Sequence, residues 1–284
     1  MAGLDRYESC GVTLLGDLSR PCGVTFAFTE RTGGVSKGQF SSLNLGDACG
    51  DDPADVAENR RRLLCAVGAG GLLDRLVNPR QVHGDRIVSV TSASDEAVER
   101  SRLEAREGAD AVVCTVADVP VLLCFADCVP VVVAQPGGFA VAHSGWRGTI
   151  ARIAAKATLE LSRVTGSDPA ASVAYIGPHI AGEDYEVSEE LLTRFVDEFG
   201  EKVALPGRRL DLACAIGLAL ADVGVDPQNV VDSRVSTPRS TDRFYSYRAE
   251  GGSCGRHGAI ALMRGDGSDT GAVTTNVFWE GDHL

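Results

Sequence analysis

The segment Val119–Val164 has the sequence VPVLLCFADCVPVVVAQPGGFAVAHSGWRGTIARIAAKATLELSRV, and it predicts the class of fold. Two apolar, β-rich runs lie on either side of the tripeptide Ala126-Asp127-Cys128. A third run, Phe139–Ala142, leads into a glycine-rich turn, and a helical pattern over Thr149–Val164 follows it. Short strands that alternate with helices indicate a layered α/β fold.

The same alternation continues toward both ends of the chain. Three further helices are each predicted to begin at a polar cap and to end at a glycine, over residues 52–68, 188–200 and 211–224. Further strands are predicted at Val24–Thr29, Arg86–Thr91, Ala111–Thr115, Ala171–Ile176, Val230–Val235, Ala259–Met263 and Val273–Phe278. No repeat or linker divides the chain, so we expect one domain over residues 1–284, built from a layered mixed sheet with helices.

The composition excludes several classes of protein. The 284 residues carry a formal net charge of −12, whereas a nucleic-acid-binding protein needs a positive surface. The longest apolar stretch, Val119–Ala134, contains Asp127 and two prolines and is shorter than the roughly 20 residues of a membrane span. The N-terminal residues lack the pattern of a secretory signal, so we expect a cytoplasmic protein.

The nine cysteines are scattered and form no Cys-x-x-Cys motif. Without an export signal they are expected to be thiols, most of them inert and buried. One of them stands out because of its position. Cys128 lies in a break between two predicted strands, while His83 directly precedes a strand and His143 ends one.

Residues at strand ends can meet at one edge of a sheet, where sites in α/β folds usually lie. Two imidazoles and a thiolate, from His83, His143 and Cys128, would make a three-ligand set for Zn²⁺ with a fourth position open for water or substrate. The spacing alone leaves a second interpretation open, in which these are a hydrogen-bonded histidine, an inert cysteine and an unrelated loop histidine.

The sequence Trp146-Arg147-Gly148-Thr149 suggests an anion site where the following helix begins. Free backbone N–H groups and the positive end of the helix dipole favour an anion there. Arg147 could bind a phosphate, and Trp146 could stack on a planar ring. A surface ion pair and a core tryptophan are the alternative interpretation.

Several motifs occur in an order that resembles one known family. They are GGVS (33–36), SLNLG (42–46), QVHG (81–84), ADCVP (126–130), AHSGWRG (142–148), IGPHI (176–180), YEV (185–187) and FYSYR (244–248). Together they resemble the polyphenol-oxidase or laccase-domain family, also called the YfiH or YlmD family. The resemblance covers nearly the whole chain.

The resemblance implies a single-domain, layered, mixed α/β protein similar to cysteine hydrolases. It also implies zinc binding by His83, Cys128 and His143, with copper as the metal of the family's first description. Members are attributed purine nucleoside phosphorylase, methylthioadenosine phosphorylase and adenosine deaminase activities. Some bacterial members are associated instead with editing of peptidoglycan precursors.

The sequence departs from the family pattern at a few positions. His179 stands where many members have cysteine or alanine, which puts the function of that position in doubt. Ser236-Thr237 replaces a common Cys-Thr, and the segment at 251–256 is slightly extended. None of these changes removes one of the three predicted ligands.

We expect a zinc enzyme that acts on purine nucleosides with phosphate as co-substrate, in an oligomeric state that the sequence leaves open. Asp127 is the candidate proton shuttle, or else it orients a ligand. Three arginines are candidate anion contacts: Arg31, Arg147 and Arg248.

Three other classes of function remain. In a thiol hydrolase that cleaves an amide, Cys128 would be the nucleophile and a histidine its base. In a non-catalytic protein the zinc would be structural. A copper polyphenol oxidase is the third class, but the chain has only five histidines, too few for a mononuclear centre plus a multinuclear copper cluster.

Overall fold

A computed structural model describes residues 2–265 and the strand Asn276–Val277. The strands in this part of the chain are β1 (Asp5–Ser9), β2 (Val12–Gly16), β3 (Val24–Thr29), β4 (Ile87–Val90), β5 (Ala111–Cys114), β6 (Val121–Phe125), β7 (Val129–Gln135), β8 (Gly138–Ser144), β9 (Val173–Ile176), β10 (Ala204–Leu205), β11 (Arg209–Leu210), β12 (Val230–Asp232), β13 (His257–Met263) and β14 (Asn276–Val277). The helices are α1 (Pro53–Ala66), α2 (Asp95–Glu107), α3 (Trp146–Ile150), α4 (Ile153–Thr165), α5 (Glu189–Phe199) and α6 (Leu212–Asp222).

The strands form two six-stranded sheets and one small hairpin, β10–β11. The first sheet has the order β14-β1-β2-β3-β13-β6, and every neighbouring pair in it is antiparallel. The second sheet has the order β12-β9-β7-β8-β5-β4. Its two outer pairs, β12–β9 and β4–β5, are parallel, and its three inner pairs are antiparallel.

The two sheets pack face to face, with helices on both outer sides. Aromatic side chains such as Phe26, Phe125 and Tyr175 fill the space between the sheets. Leu63 and Leu64 of α1 cover the outer face of the first sheet, while α4, α5 and α6 cover the second. Strands β7 and β8 are buried along their whole length, which explains their continuous apolar sequence. The predicted layered α/β class is confirmed.

The polar caps predicted from the sequence are present. The Asp52 side chain accepts a hydrogen bond from the Ala54 N–H at 2.8 Å at the start of α1. Ser188 caps α5 and Asp211 caps α6 in the same way. These side chains satisfy N–H groups that the first turn of a helix leaves unpaired. No helix within residues 2–265 is long and apolar enough to cross a membrane.

The helix predicted over Thr149–Val164 is wrong in one respect, because the chain breaks into α3 and α4. Arg152 adopts a left-handed conformation, with φ 59°, at the break. Its guanidinium donates hydrogen bonds to Glu198 at 2.6 Å and to Asp222 at 2.7 Å. The anion site inferred at Trp146 therefore lies at a helix of only five residues, not at the start of a long one.

The sheet assignment of the C-terminal strands also differs from the prediction. The sequence pattern places Val230–Val235 and Ala259–Met263 in one sheet, whereas β12 belongs to the second sheet and β13 to the first. Period-two patterning identifies a strand but not the sheet that it joins. Of the predicted strand Val273–Phe278, only Asn276–Val277 lies within the described residues, where it pairs with β1.

Candidate metal centre and cleft

One end of the second sheet collects the chemically active side chains. Antiparallel pairing aligns Pro130 of β7 with His143 of β8, and Ala111 of β5 with Ala142 of β8. Parallel pairing of β4 with β5 brings the start of β4 to the same end. Cys128 directly precedes β7, and the loop that carries His83 precedes β4. Strand topology thus explains why residues distant in sequence lie together.

The potential ligand atoms of His83, Cys128 and His143 all lie within 4.8 Å of one another. Within residues 2–265, no other group of three or more histidine, cysteine or acidic residues is arranged to hold a metal ion. The two imidazole rings are 4.9 Å apart, centroid to centroid, and nearly perpendicular. The three residues predicted from the sequence as ligands are therefore neighbours in space.

Asp110 holds the cluster together, and sequence reasoning missed it. Its side chain is fully buried immediately before β5. One carboxylate oxygen accepts hydrogen bonds from the His83 N–H at 2.9 Å and interacts with His143 Nδ1 at 2.8 Å. The other accepts from the N–H groups of Val82 at 3.2 Å and Gly84 at 2.7 Å. The only sequence signal is an aspartate placed directly before an apolar strand.

These contacts orient the His143 ring and hold the loop that carries His83. With Nδ1 of His143 bonded to Asp110, Nε2 of the same ring is available to the cluster. His83 has a left-handed backbone with φ 59°, and the Asp110 carboxylate binds the N–H groups of this loop. Although burial opposes ionisation, the pKa of Asp110 is lowered by its hydrogen bonds to His143 and the backbone N–H groups.

The electrostatics of the cluster favour a thiolate. Burial alone would raise the pKa of Cys128, but His143 and, to a smaller extent, His83 lower it from 9.0 to about 6. Burial likewise disfavours the charged form of His143, but the Cys128 sulfur and Asp110 raise its pKa from 6.5 to about 9. A thiolate is both the metal-binding and the nucleophilic form of cysteine.

The absence of a side chain at Gly145 lets the backbone pass close to the cluster. A Cβ atom at this position would lie 3.0 Å from the Cys128 sulfur and 3.4 Å from His83 Cδ2. A side chain here would therefore press on two of the three predicted ligands. This requirement explains the glycine that separates His143 from α3.

The cluster lies in a cleft of about 620 Å³. Six of the residues predicted from the sequence line this cleft: His83, Asp127, Cys128, His143, Trp146 and Arg248. Further side chains complete the walls, among them Asp47, Arg80, Gln81, Cys124, Tyr185, Tyr247 and Arg256. The cleft thus combines a His/Cys/His cluster with aromatic rings and arginines.

Two predicted anion contacts do not line the cleft. Arg31 hydrogen-bonds the backbone oxygens of Ser41 and Thr241, pairs with Glu250 at 3.0 Å, and stacks over the Tyr245 ring. These contacts occupy its guanidinium within the protein.

Arg147 is exposed, and its guanidinium lies 4.3 Å from the centroid of the Trp146 ring. It therefore contacts Trp146 without lining the cleft itself. Arg248, in contrast, lines the cleft itself.

Asp127 is anchored at both carboxylate oxygens. One accepts a hydrogen bond from the Thr237 hydroxyl at 2.6 Å, and the other from the backbone N–H of Arg248 at 2.7 Å. The carboxylate thereby fixes the segment that carries Tyr247 and Arg248 into the cleft. The Arg248 guanidinium lies 5.5 Å from the centroid of the Tyr185 ring. Burial raises the pKa of Tyr185 to about 12, so its hydroxyl remains a hydrogen-bond donor at neutral pH.

His179, the residue that departs from the family pattern, does not join the cluster. It is buried, and its Nδ1 lies 2.8 Å from the backbone oxygen of Gly177. Gln81 was also missed from the sequence. Its side-chain amide makes two hydrogen bonds to the backbone of Cys124, which ties the His83 loop to β6.

The residues present fit a bound transition metal. One thiolate and two neutral imidazole nitrogens are a donor set suited to zinc or copper, and three protein donors leave a position for another ligand. Asp110 supplies the carboxylate that commonly supports a metal-binding histidine. The cluster thus has both the ligands and the supporting contacts of a metal centre.

The fold and the cluster together define a class, namely a layered α/β protein with a candidate metal centre at the end of a sheet. The chain belongs to the family described as multi-copper polyphenol oxidoreductase laccase, whose sequence profile matches residues 25–264. The resemblance to the laccase-domain, or YfiH/YlmD, family is therefore confirmed.

Relatives named for enzyme activities and a solved structure agree with this assignment. A purine nucleoside phosphorylase of Deinococcus radiodurans is 39% identical over 251 residues, which are 86% of this chain and 91% of the relative. An adenosine deaminase from an unknown prokaryotic organism is 34% identical over 241 residues, 81% of this chain and 90% of the relative. The crystal structure of YlmD from Geobacillus stearothermophilus has a TM-score of 0.79 and 31% identity, and the match covers 89% of this chain and 96% of that one.

Proposed function

We propose that this protein is a zinc-dependent purine nucleoside enzyme. It would cleave adenosine, inosine and methylthioadenosine with phosphate, and it would deaminate adenosine. The observation that carries the proposal is the His83–Cys128–His143 cluster within a cleft that can hold a nucleoside. The names of the relatives, purine nucleoside phosphorylase and adenosine deaminase, support the substrate class.

Phosphate is assigned to the cationic walls of the cleft. In phosphorolysis, a phosphate oxygen bonds to the anomeric carbon while the bond from that carbon to the base breaks. Arg80, Arg248 and Arg256 line the cleft. Backbone oxygens already accept hydrogen bonds from Arg80 and Arg256, as they do from Arg31, so Arg248 is left to neutralise the phosphate. Arg248 is the main candidate, because Asp127 fixes its backbone. We therefore assign a positioning function to Asp127 in preference to proton transfer, since both of its oxygens already accept hydrogen bonds.

The aromatic side chains are assigned to the purine base. Trp146, Tyr185 and Tyr247 all line the cleft, and flat rings of this kind stack on heterocycles. The protonated hydroxyl of Tyr185 can donate a hydrogen bond to a ring nitrogen.

His83, Cys128 and His143 would hold the zinc ion, with Asp110 orienting His143. When bound, zinc supplies Lewis acidity and lowers the pKa of water toward about 7, which is the chemistry that deamination requires. Copper is the alternative metal. A cytoplasmic location is part of the proposal, because nucleosides and phosphate are intracellular metabolites.

One observation favours a second function. Cys128, His143 and Asp110 are arranged as nucleophile, base and orienting carboxylate, and the histidines lower the pKa of Cys128 to about 6. A thiol hydrolase acting on an amide, such as a peptidoglycan precursor, uses the same three groups. A hydrolase of this type survives chelation and is inactivated by alkylation of Cys128, whereas the zinc enzyme is inactivated by chelation.

The test uses the full chain purified without added metal. Its metal content is measured by elemental analysis, and the protein is then incubated with adenosine in the presence and absence of phosphate. We expect one zinc ion per chain, release of adenine and ribose 1-phosphate only with phosphate, and inosine without it. Cys128→Ala should lose both zinc and turnover, while Cys124→Ala, in the same cleft, should keep both. Full metal content and turnover in Cys128→Ala would overturn the proposal.

A second arm of this experiment examines the phosphate site. Arg248→Ala should raise the phosphate concentration needed for adenosine cleavage and leave deamination intact. Arg147→Ala is the matched control, because this arginine is exposed and does not line the cleft. Equal effects of the two substitutions would show that the cleft arginine does not bind phosphate.

A further inference from the structure

Two cysteines that do not line the cleft lie in direct contact at the protein surface. The sulfur atoms of Cys10 and Cys65 are 3.0 Å apart, and both residues are exposed. Cys10 lies in the turn between β1 and β2, and Cys65 lies in the last turn of α1. Their separation is about 1 Å longer than a disulfide bond. No other two cysteine sulfurs make such a contact within residues 2–265.

The backbone around both cysteines is held in place. The buried hydroxyl of Ser9 donates a hydrogen bond to the Ala66 carbonyl at 2.8 Å, so the residue before Cys10 is tied to the residue after Cys65. Gly33 packs so tightly on the same turn that a Cβ atom there would lie 2.1 Å from the Gly11 oxygen. The contact between the two sulfurs is therefore built into the packing of the turn against the helix.

We propose that Cys10 and Cys65 are a redox modification site that forms a reversible disulfide, with a low-molecular-weight disulfide such as oxidised glutathione as the oxidant. One cysteine thiolate attacks a glutathione sulfur and releases one glutathione as its thiolate. The second cysteine then attacks the mixed disulfide and releases the other glutathione. The two cysteines lose two protons and two electrons, and one glutathione disulfide becomes two molecules of glutathione.

The disulfide would fasten α1 to the first sheet. It would close a loop from residue 10 to residue 65, which restricts the unfolded chain more than the folded one. The same helix carries Asn59, whose amide hydrogen-bonds the backbone oxygens of Ser42 and Asn44 in the segment that leads to the cleft wall. Oxidation would therefore stabilise the α1 layer and the segment that it supports.

The experiment uses the full-length reduced protein, incubated with oxidised glutathione and then digested and analysed by mass spectrometry. We expect a peptide pair joined between Cys10 and Cys65, lighter by two hydrogen atoms than the two reduced peptides, that dithiothreitol separates. The melting temperature should rise by an amount on the order of 5 °C on oxidation. Cys22, which is exposed but contacts no other cysteine sulfur in the described residues, serves as the internal control and should carry glutathione instead.

Matched variants decide the outcome. Cys10→Ser and Cys65→Ser should each lose the cross-link and the rise in melting temperature, and each should retain glutathione on the remaining cysteine of the pair. Glutathione that stays on Cys10 or Cys65 of the unmutated protein, a cross-link to Cys22, or no reaction at either cysteine would overturn the proposal. Because both positions are exposed, the serine variants are expected to fold.

Discussion

Replacing Asp110 by asparagine should weaken metal binding without removing any ligand. The carboxylate accepts hydrogen bonds from three successive backbone N–H groups, those of Val82, His83 and Gly84, and it contacts Nδ1 of His143. Asparagine has nearly the same shape but only one oxygen. If the NH₂ group takes the place of the oxygen that now accepts hydrogen bonds from the N–H groups of Val82 and Gly84, it would face two donors and accept neither hydrogen bond.

The expected size of the effect follows from these contacts. Loss of a carboxylate that supports a metal-binding histidine typically reduces metal affinity 10- to 100-fold, which is about 1.4 to 2.7 kcal/mol. The free energy of unfolding should also fall, by about 3 kcal/mol, because two buried hydrogen bonds to a charged acceptor are lost. The zinc dissociation constant and the free energy of unfolding are thus both expected to change.

Competition with a chromophoric chelator measures the zinc dissociation constant, and urea denaturation of the metal-free protein measures the free energy of unfolding. Asp17→Asn is the matched control. Asp17 is also buried and accepts hydrogen bonds from two backbone N–H groups, those of Gly3 and Ser19, and from the Tyr175 hydroxyl, but it contacts no residue of the cluster. This variant should lose stability and keep the zinc affinity of the unmutated protein.

A result in which Asp110→Asn binds zinc as tightly as the unmutated protein, while it loses stability like Asp17→Asn, would refute the reasoning. Asp110 would then support the loop and the sheet without affecting the orientation of His143.

Two further predictions concern buried positions. His257 is fully buried, and burial lowers its pKa from 6.5 to about 3 although a weaker interaction with the Pro178 backbone opposes the shift. Between about pH 6 and pH 4 the unfolded chain therefore binds about one more proton than the folded protein. The unmutated protein should lose about 2 kcal/mol more stability than His257→Gln between pH 7 and pH 5, as measured by urea denaturation. Equal losses in the two proteins would contradict the low pKa of His257. Gly145→Ala should weaken zinc binding, because its Cβ would lie 3.0 Å from the Cys128 sulfur. Gly217→Ala in α6 is the control and should leave zinc affinity unchanged, because no atom lies within 4 Å of its Cβ. Unchanged zinc affinity in both variants would contradict the close approach of Gly145 to the ligands.

Local patterns were sufficient to predict most of the individual elements. Strand β3 has the predicted bounds, and the polar side chains of Asp52, Ser188 and Asp211 cap helices as expected, because caps and periodicity act between neighbours in the chain. His83 and Cys128 were noticed because each interrupts or precedes an apolar strand. Their function as metal ligands stays a prediction, although the structure brings them together.

Features that depend on long-range packing could not be predicted. Asp110 has no motif of its own, and its importance arises only when β5 pairs with β8 and places the carboxylate beside His143. At the break between α3 and α4, Arg152 forms ion pairs with residues 46 and 70 positions away, and no local pattern reveals such contacts. Similarly, alternating hydrophobicity does not say which of two sheets a strand will join.

The chain crosses from the first sheet to the second within residues 126–128, between β6 and β7, and Cys128 is the last residue of this crossing. The other two predicted ligands depend on β8 and on the loop before β4, so the three donors meet only after strands β4, β5, β8 and β7 of the second sheet have paired. In zinc fingers, by contrast, the chain folds around the ion. Metallation here would follow the assembly of the second sheet, and an already paired set of strands would capture the ion.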